Sequence, residues 1–182
     1  TGPDMTEIEA FRHQMPPPLQ LRPLNLPEQF ATTLSNGLGL VVVEDKRLPL
    51  ISFRLAFRSG DANDPESRPG LSDMMAHLLT EGTARRTSRQ IAEEVERYGA
   101  TLAVGSSSDF TTVAASSLSV YADEILVLLA DVTLNATFPQ SEIDLARENT
   151  KQLLIQQRAQ PNFLASERLS QVMFGKHPYA RV

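Results

Sequence analysis

Strand-like runs in this 182-residue sequence occur in pairs around tight-turn residues, and helical runs occur in groups between those pairs. Asn36-Gly37, a strong hairpin signal, lies between strand-like runs at Gln29–Thr33 and Leu38–Glu44. A second hairpin is predicted from the small and β-branched runs Thr101–Ser106 and Phe110–Ser116. Strands joined by such short turns must be antiparallel, which constrains the fold more than any other feature.

Helical spacing of apolar residues accounts for most of the remaining sequence. A third strand-like run, Leu50–Arg58, precedes two helical segments, and three more follow the second hairpin. The predicted helical spans are 70–83, 88–98, 123–135, 141–160 and 163–174. The order is therefore β-β-β-α-α-β-β-α-α-α, which predicts an α+β fold: an antiparallel sheet built from hairpins, with helices packed on one face.

Local signals also predict where two of these helices begin, end and bury their side chains. Thr87 or Ser88 is expected to cap the second helix, and Gly99 to end it. The fourth helix is expected to be amphipathic. Its predicted inner side consists of Ile143, Leu145, Leu153, Leu154 and Ile155.

Composition excludes several classes of function. The formal net charge is −5, so no concentrated basic face is expected to bind nucleic acid. The densest basic group, Arg85-Arg86 with Arg89, is expected to be solvated. The chain has no cysteine, which excludes disulfides, thiolate metal ligands and a cysteine nucleophile. No apolar run reaches the roughly 18 residues that a membrane span needs, so no membrane span is predicted.

The first 27 residues differ from the rest of the chain in their proline content. Pro16-Pro17-Pro18, Pro23 and Pro27 rule out a regular helix or a central strand there. We therefore predict a proline-rich arm over residues 1–27 and an α+β domain over 28–182, the latter being the N-terminal part of a longer protein. The N-terminus lacks a signal-peptide pattern, so the compartment is undetermined, and a periplasmic or secreted location after removal of a signal peptide stays open.

One predicted helix carries the residues of greatest chemical interest. In Gly70–Thr83, Asp73 and His77 lie four residues apart and therefore on one face, one turn apart. Such a face could bind a metal ion. A lone His beside an Asp is more often a simple hydrogen-bonded pair on a helix surface.

Several short motifs resemble the insulinase, pitrilysin and mitochondrial processing peptidase family of zinc peptidases. They follow one another in the family's order and together span roughly residues 29–180. The matching segments are 34–45, 57–66, 70–83, 98–102 and 174–179, which include Phe57-Arg58-Ser59-Gly60, Thr80-Glu81-Gly82-Thr83 and Phe174-Gly175-Lys176-His177-Pro178-Tyr179. The resemblance implies a processing-peptidase-like α+β domain.

The same resemblance implies that the catalytic residues are absent. Active members carry an inverted H-x-x-E-H motif, in which the two His bind zinc and the Glu activates its water. Here the first His falls on Asp73, the Glu on Ala76 and the second His on His77. The third ligand, a Glu on a later helix, falls on Leu153 or Leu154. Zinc, the cofactor of active relatives, is therefore not expected here, and no catalytic residue is predicted.

The resemblance also implies a place where a peptide could bind. In family members the substrate adds as an extra strand to the sheet edge that matches Ala100, Thr101, Leu102, Ala103, Val104, Gly105 and Ser106. The main-chain hydrogen bonds of such an edge do not depend on a metal. The alternative is that this edge is covered by another part of the protein.

Three functions remain open from the sequence. The first is a non-catalytic peptidase-like subunit that pairs with an active zinc-peptidase subunit, or with itself, and helps to hold a peptide. The second is an active metalloendopeptidase whose zinc site is rebuilt from Asp73, His77 and a further ligand. The third is a structural subunit of a larger assembly.

Overall fold

The structure, a computed structural model, describes Met15 and residues 27–181. The predicted proline-rich arm therefore lies almost entirely outside the described residues. The chain divides into two compact units with a boundary between Arg47 and Leu48, and each unit is described here by itself. The domain limits at residues 27 and 28 stay a prediction.

The first unit contains the hairpin that Asn36-Gly37 predicts. Strand β1 (Gln29–Thr33) pairs antiparallel with β2 (Gly39–Val43). At the turn, the Asn36 side-chain oxygen accepts a hydrogen bond from the main-chain N–H of Leu38 at 3.1 Å, and Gly37 has a φ of +86°. Asparagine and glycine favour this turn because they tolerate such backbone angles and, in the case of asparagine, hydrogen-bond locally.

The second unit contains a three-stranded sheet and five helices. The strands are β3 (Leu50–Phe57), β4 (Thr101–Ser106) and β5 (Thr111–Leu118), and the helices are α1 (Leu71–Leu78), α2 (Ser88–Arg97), α3 (Ala122–Leu134), α4 (Gln140–Arg158) and α5 (Pro161–Phe174), with 3-10 turns at Asp61–Asn63, Ser119–Tyr121 and Pro178–Ala180. The sheet order is β3-β5-β4, and both pairings are antiparallel. This element order and the antiparallel sheet confirm the predicted α+β fold.

The core of the second unit lies between the central strand and helices α2 and α3. Inward residues of β5 alternate with partly exposed ones, as the two-residue period of a strand requires. Apolar side chains from α2 and α3 cover that face and exclude water from it. The buried cluster consists of Leu79, Ile91, Val113, Ala115, Ile125, Leu128, Leu129 and Val132.

Helix α1 is shorter than the predicted span of 70–83. It ends at Leu78, and the chain then turns towards the segment after α3, where Thr83 forms a β-bridge with Ala136. Gly82 has a φ of +146°, which no helical residue adopts. The helix thus ends five residues before the predicted limit at residue 83, and Gly82 lies outside it.

The predicted inner side of α4 is less buried than expected. No residue of α4 is buried, and Leu145, Leu153 and Ile155 are at least half exposed. The main contacts of α4 are with α1 and α5. Among the described residues, no helix combines the length and apolarity needed to cross a membrane.

Candidate functional site

Helix α1, which carries the Asp73–His77 pair, is fixed at its start by a buried carboxylate. Gly70 occupies the N-cap position with a φ of +83°, so the helix opens where the sequence predicts. Asp64, which is 6% exposed, accepts hydrogen bonds from the Ser72 main-chain N–H at 3.0 Å and from its hydroxyl at 2.6 Å. A carboxylate at a helix N-terminus satisfies free N–H groups and complements the helix dipole.

The face of α1 that carries Asp73 and His77 is open to solvent. His77 Nε2 lies 3.8 Å from Asp73 Oδ2, and their side chains are 73% and 57% exposed. Ala76, where the family resemblance would place the general base, is 1% exposed and therefore lies in the interior. The pair has the spacing of an ordinary surface contact between residues one turn apart.

A cavity of about 360 Å³ lies between α1 and α4. Its lining brings together His77 of α1 and Leu153 of α4, two of the positions that the family motif singles out. Leu154, Asp73 and Ala76 do not line it. The full lining is Met74, His77, Leu78, Glu81, Glu142, Leu145, Ala146, Asn149, Thr150 and Leu153. Of the two alternatives, Leu153 rather than Leu154 therefore shares this cavity with His77.

The residues in this cavity do not fit a catalytic zinc ion. Such an ion needs three protein ligands and a water, whereas Leu153 offers an isobutyl group and Ala76 a methyl group. Throughout residues 27–181, no group of three or more His, Cys, Asp or Glu side chains is arranged to hold a metal ion. The described residues of this site therefore offer no three-ligand set for a catalytic zinc ion.

Two glutamates in the cavity were not identified from the sequence. Burial raises the pKa of Glu81, the negative charge of Glu142 raises it further, and His77 acts in the opposite direction. Glu81 could have been found because it follows His77 by four residues. Glu142 could not, because only the packing of α4 against α1 brings its side chain to the cavity.

The predicted peptide-binding strand lies at an edge of the described sheet. Strand β4 pairs only with β5 there, over Thr101↔Ser116 to Ser106↔Thr111. Thr101, Ala103 and Gly105 are exposed, and the alternate residues Leu102, Val104 and Ser106 are partly buried. Ala100, just before the strand, is also partly buried. Helix α1 packs against β4 as well as against α4.

One expectation about charge is wrong. Arg86 was expected to be solvated with Arg85 and Arg89, but its side chain is 19% exposed and forms two ion pairs. Its Nε lies 3.0 Å from a carboxylate oxygen of Glu94, and its Nη1 lies 2.7 Å from Asp131 Oδ2. A short basic run cannot reveal such pairing, because both partners lie on other elements.

The fold and the degenerate motif together define a peptidase-like α+β domain. Comparison with protein families agrees: the model of Insulinase (Peptidase family M16) matches residues 40–182. The chain therefore belongs to the insulinase family of peptidases.

Relatives of this chain include both a processing peptidase subunit and proteins described as non-catalytic. The chain is 31% identical to the mitochondrial-processing peptidase subunit beta of Bos taurus, over 68% of this chain and 25% of the relative. It is 26% identical to the "Non-peptidase homolog YmxG" of Helicobacter pylori, over 78% of this chain and 33% of that protein. The crystal structure of a peptidase M16 inactive domain from Pseudomonas fluorescens superposes with a TM-score of 0.77 at 30% identity, covering 85% of this chain and 38% of that one. The chain thus spans between a quarter and two fifths of the length of these relatives.

Proposed function

We propose that this chain is a non-catalytic domain of the insulinase family that holds an extended peptide at the edge of β4 and acts together with an active zinc-peptidase subunit. The observation that carries the proposal is the combination of a retained cavity with Ala76 and Leu153 at the positions of the base and the third ligand. A hydrolytic water would have neither a metal ion nor a base to activate it.

The relatives support the non-catalytic part of the proposal. One is named a non-peptidase homolog, and one solved structure is described as an inactive domain. A scaffold that keeps its sheet, its motif helix and the groove between its helices, but lacks the reacting groups, is suited to binding rather than to hydrolysis.

The geometry of β4 supports the binding part. An edge strand presents unpaired main-chain N–H and C=O groups, which an extended peptide can pair with independently of its side chains. Two of the exposed positions of β4 are Ala103, with a small side chain, and Gly105, with none. A partner strand can therefore approach the main chain closely. The proposed action together with another subunit is supported by a relative that is itself named as a subunit.

Peptide binding can be tested without altering the protein. Fluorescence anisotropy should detect binding of extended ten-residue peptides, and N-methylation of every second residue should abolish it when those N–H groups point to β4. The matched control carries N-methyl groups on the alternate residues, whose N–H groups point away, and should retain binding. Equal effects of the two methylation patterns would contradict strand addition.

Catalysis and partnership need separate measurements. The purified chain should not cleave a peptide library, with or without added zinc, and His77→Ala should leave that result unchanged. When mixed with an active zinc peptidase of the same family from the same organism, it should raise that enzyme's kcat/KM. Chelator-sensitive cleavage by the chain alone would exclude the proposal in favour of a rebuilt metallopeptidase site.

A further inference from the structure

A short segment after α5 is fastened to two distant parts of the second unit. This segment, residues 175–181 (the strap), contains the 3-10 turn Pro178–Ala180. The Tyr179 hydroxyl donates a hydrogen bond of 2.6 Å to Asp109 Oδ1, in the turn between β4 and β5. Arg181 Nη1 donates one of 2.8 Å to the main-chain oxygen of Asp64. The strap is thus bonded to residues that lie 70 and 117 positions earlier in the chain.

Tyr179 is held in one orientation within the strap. Its ring packs edge-on against Phe174, with centroids 5.7 Å apart, and against the His177 ring at 4.5 Å. His177 Nδ1 also accepts a hydrogen bond from the Tyr179 main-chain N–H at 3.3 Å. The hydrogen bond to Asp109 raises the pKa of Tyr179, so the phenol keeps its proton and remains the donor. Because neighbouring rings already fix the side chain, the contact with Asp109 costs little further side-chain entropy.

The two parts of the chain that the strap contacts are also bonded to each other. The Asp61 main-chain N–H donates to the Ser107 oxygen at 3.0 Å, and the next N–H along the chain donates to the Ser108 oxygen at 2.9 Å. Asp64 follows in the same loop, and its buried carboxylate caps the start of α1. The strap, the loop after β3 and the turn that ends β4 therefore form one closed set of contacts.

We propose that the strap positions the peptide-binding edge of β4 and the start of α1, with Tyr179 and Arg181 as the positioning residues. The peptide part of this inference rests on the proposed function. Tyr179 holds the turn that ends β4, and Arg181 holds the residue that caps α1, the helix packed against β4. A strand that is ordered before binding loses less conformational entropy when a peptide pairs with it. Release of the strap should therefore loosen both segments and weaken peptide binding.

Hydrogen exchange without peptide tests the positioning itself. Tyr179→Phe keeps the ring and removes the hydroxyl, so the Asp61 amide, which pairs with the turn, should exchange about fivefold faster. Arg181→Ala should speed exchange of the Ser72 amide, which the Asp64 carboxylate caps. Tyr121→Phe removes the same hydroxyl from the separate turn Ser119–Tyr121 and is the matched control, with unchanged rates at both amides. Unchanged rates in the two strap variants would overturn the inference.

A double-mutant cycle assigns the effect to the contact between Tyr179 and Asp109. Asp109→Ala should speed exchange as Tyr179→Phe does, and the double variant should be no faster than either single variant, because both changes remove the same hydrogen bond. Asp109→Asn keeps a side-chain oxygen acceptor and should restore most of the protection. Independent effects that multiply in the double variant would overturn the role given to Tyr179.

Peptide affinity separates this inference from the proposed function. The variant that combines Tyr179→Phe with Arg181→Ala should bind the extended peptides at least about threefold more weakly than the wild type, at a temperature where circular dichroism shows both to be folded. If the wild type binds peptide and this variant binds it equally well, the inference is overturned and the proposed function stands. If no peptide binds the wild type while the exchange rates change as expected, the strap orders the turn and α1, and strand addition at β4 is wrong.

Discussion

Arg86 donates a hydrogen bond of 2.7 Å from Nη1 to Asp131 Oδ2, and so joins the segment after α1 to the buried side of α3. The Asp131 side chain is only 4% exposed. It also accepts hydrogen bonds from the hydroxyl of Thr83 and the amide of Asn135, each at 2.8 Å. Arg86 contacts Glu94 of α2 as well, so one guanidinium ties together two helices and a connecting segment.

Replacing Arg86 with alanine should destabilise the fold strongly. The change leaves the buried carboxylate of Asp131 without its counter-ion, and removal of one partner of a buried pair typically costs about 3 kcal/mol or more. Urea denaturation followed by circular dichroism measures the loss in the free energy of unfolding. Arg89→Ala is the control, because the Arg89–Glu93 pair is 3.6 Å apart and largely exposed, and should cost less than about 1 kcal/mol. Similar losses for the two variants would contradict the role given to Arg86.

Asp131 should make stability depend on acid pH. Burial by itself would raise the pKa of Asp131, but hydrogen bonds from Asn135, Thr83 and Arg86 outweigh it and hold the pKa below its ordinary value of 3.8. A lowered pKa in the folded state stabilises the fold above the unfolded pKa, and this contribution is lost as pH falls through the folded pKa. The melting temperature should therefore decrease when the pH is lowered below about 4.

The variant Asp131→Asn tests the origin of that dependence. It should be less stable than the wild type at neutral pH, and the difference should shrink on acidification because the wild type alone loses this contribution. Asp123→Asn, at an exposed position of the same helix, should keep the wild-type pH profile. A constant difference between Asp131→Asn and wild type from pH 7 to pH 2 would refute the assignment.

Gly60 should not tolerate a side chain. A Cβ atom at this residue would lie 2.0 Å from the main-chain oxygen of Ser107 and 2.9 Å from the main-chain nitrogen of Phe110. Because both are backbone atoms of the turn between β4 and β5, Gly60→Ala should cost about 1–3 kcal/mol or more through overpacking. Gly105→Ala is the control, since a Cβ there meets no atom within 4 Å. The two melting temperatures should differ by several degrees, and equal values would contradict the close approach.

The register of α4 can be tested by rebuilding a zinc site. Asp73→His with Leu153→Glu restores three ligands around His77, and zinc should then bind at about one ion per chain. Metal analysis after gel filtration measures the content. Asp73→His with Leu154→Glu is the matched control and should remain nearly metal-free, because Leu153 shares the cavity with His77 and Leu154 does not. The change at Asp73, one turn from His77 on the same helix, is common to both variants. The rebuilt site should still be inactive without a base, and a Glu at the buried position of Ala76 would carry a desolvation cost.

Features set by neighbouring residues were predictable from the sequence. Thr87 caps α2 by accepting a hydrogen bond from the Gln90 N–H, and Gly99 follows the helix end with a φ of +53°. The Asn36-Gly37 hairpin also formed as predicted, because its turn is likewise set by neighbouring residues. Capping and turn geometry depend on contacts within a few residues, which the order of the amino acids specifies directly.

The candidate site was only partly predictable. The resemblance placed Asp73, Ala76 and His77 on one helix, and the structure agrees. It left Leu153 and Leu154 as alternatives, because the phase of α4 relative to α1 depends on how the two helices pack. The same packing brings Glu142 beside Glu81, which no local pattern indicates.

The sequence by itself determined the order of hairpins and helices and their caps and turns, because each depends on residue identity and on contacts a few residues apart. Only the tertiary structure decided that Leu153 rather than Leu154 shares a cavity with His77, that Arg86 forms an ion pair with Asp131, and that two glutamates line that cavity. Those features arise from contacts between residues tens of positions apart, which burial and electrostatic pairing select only once the chain has folded.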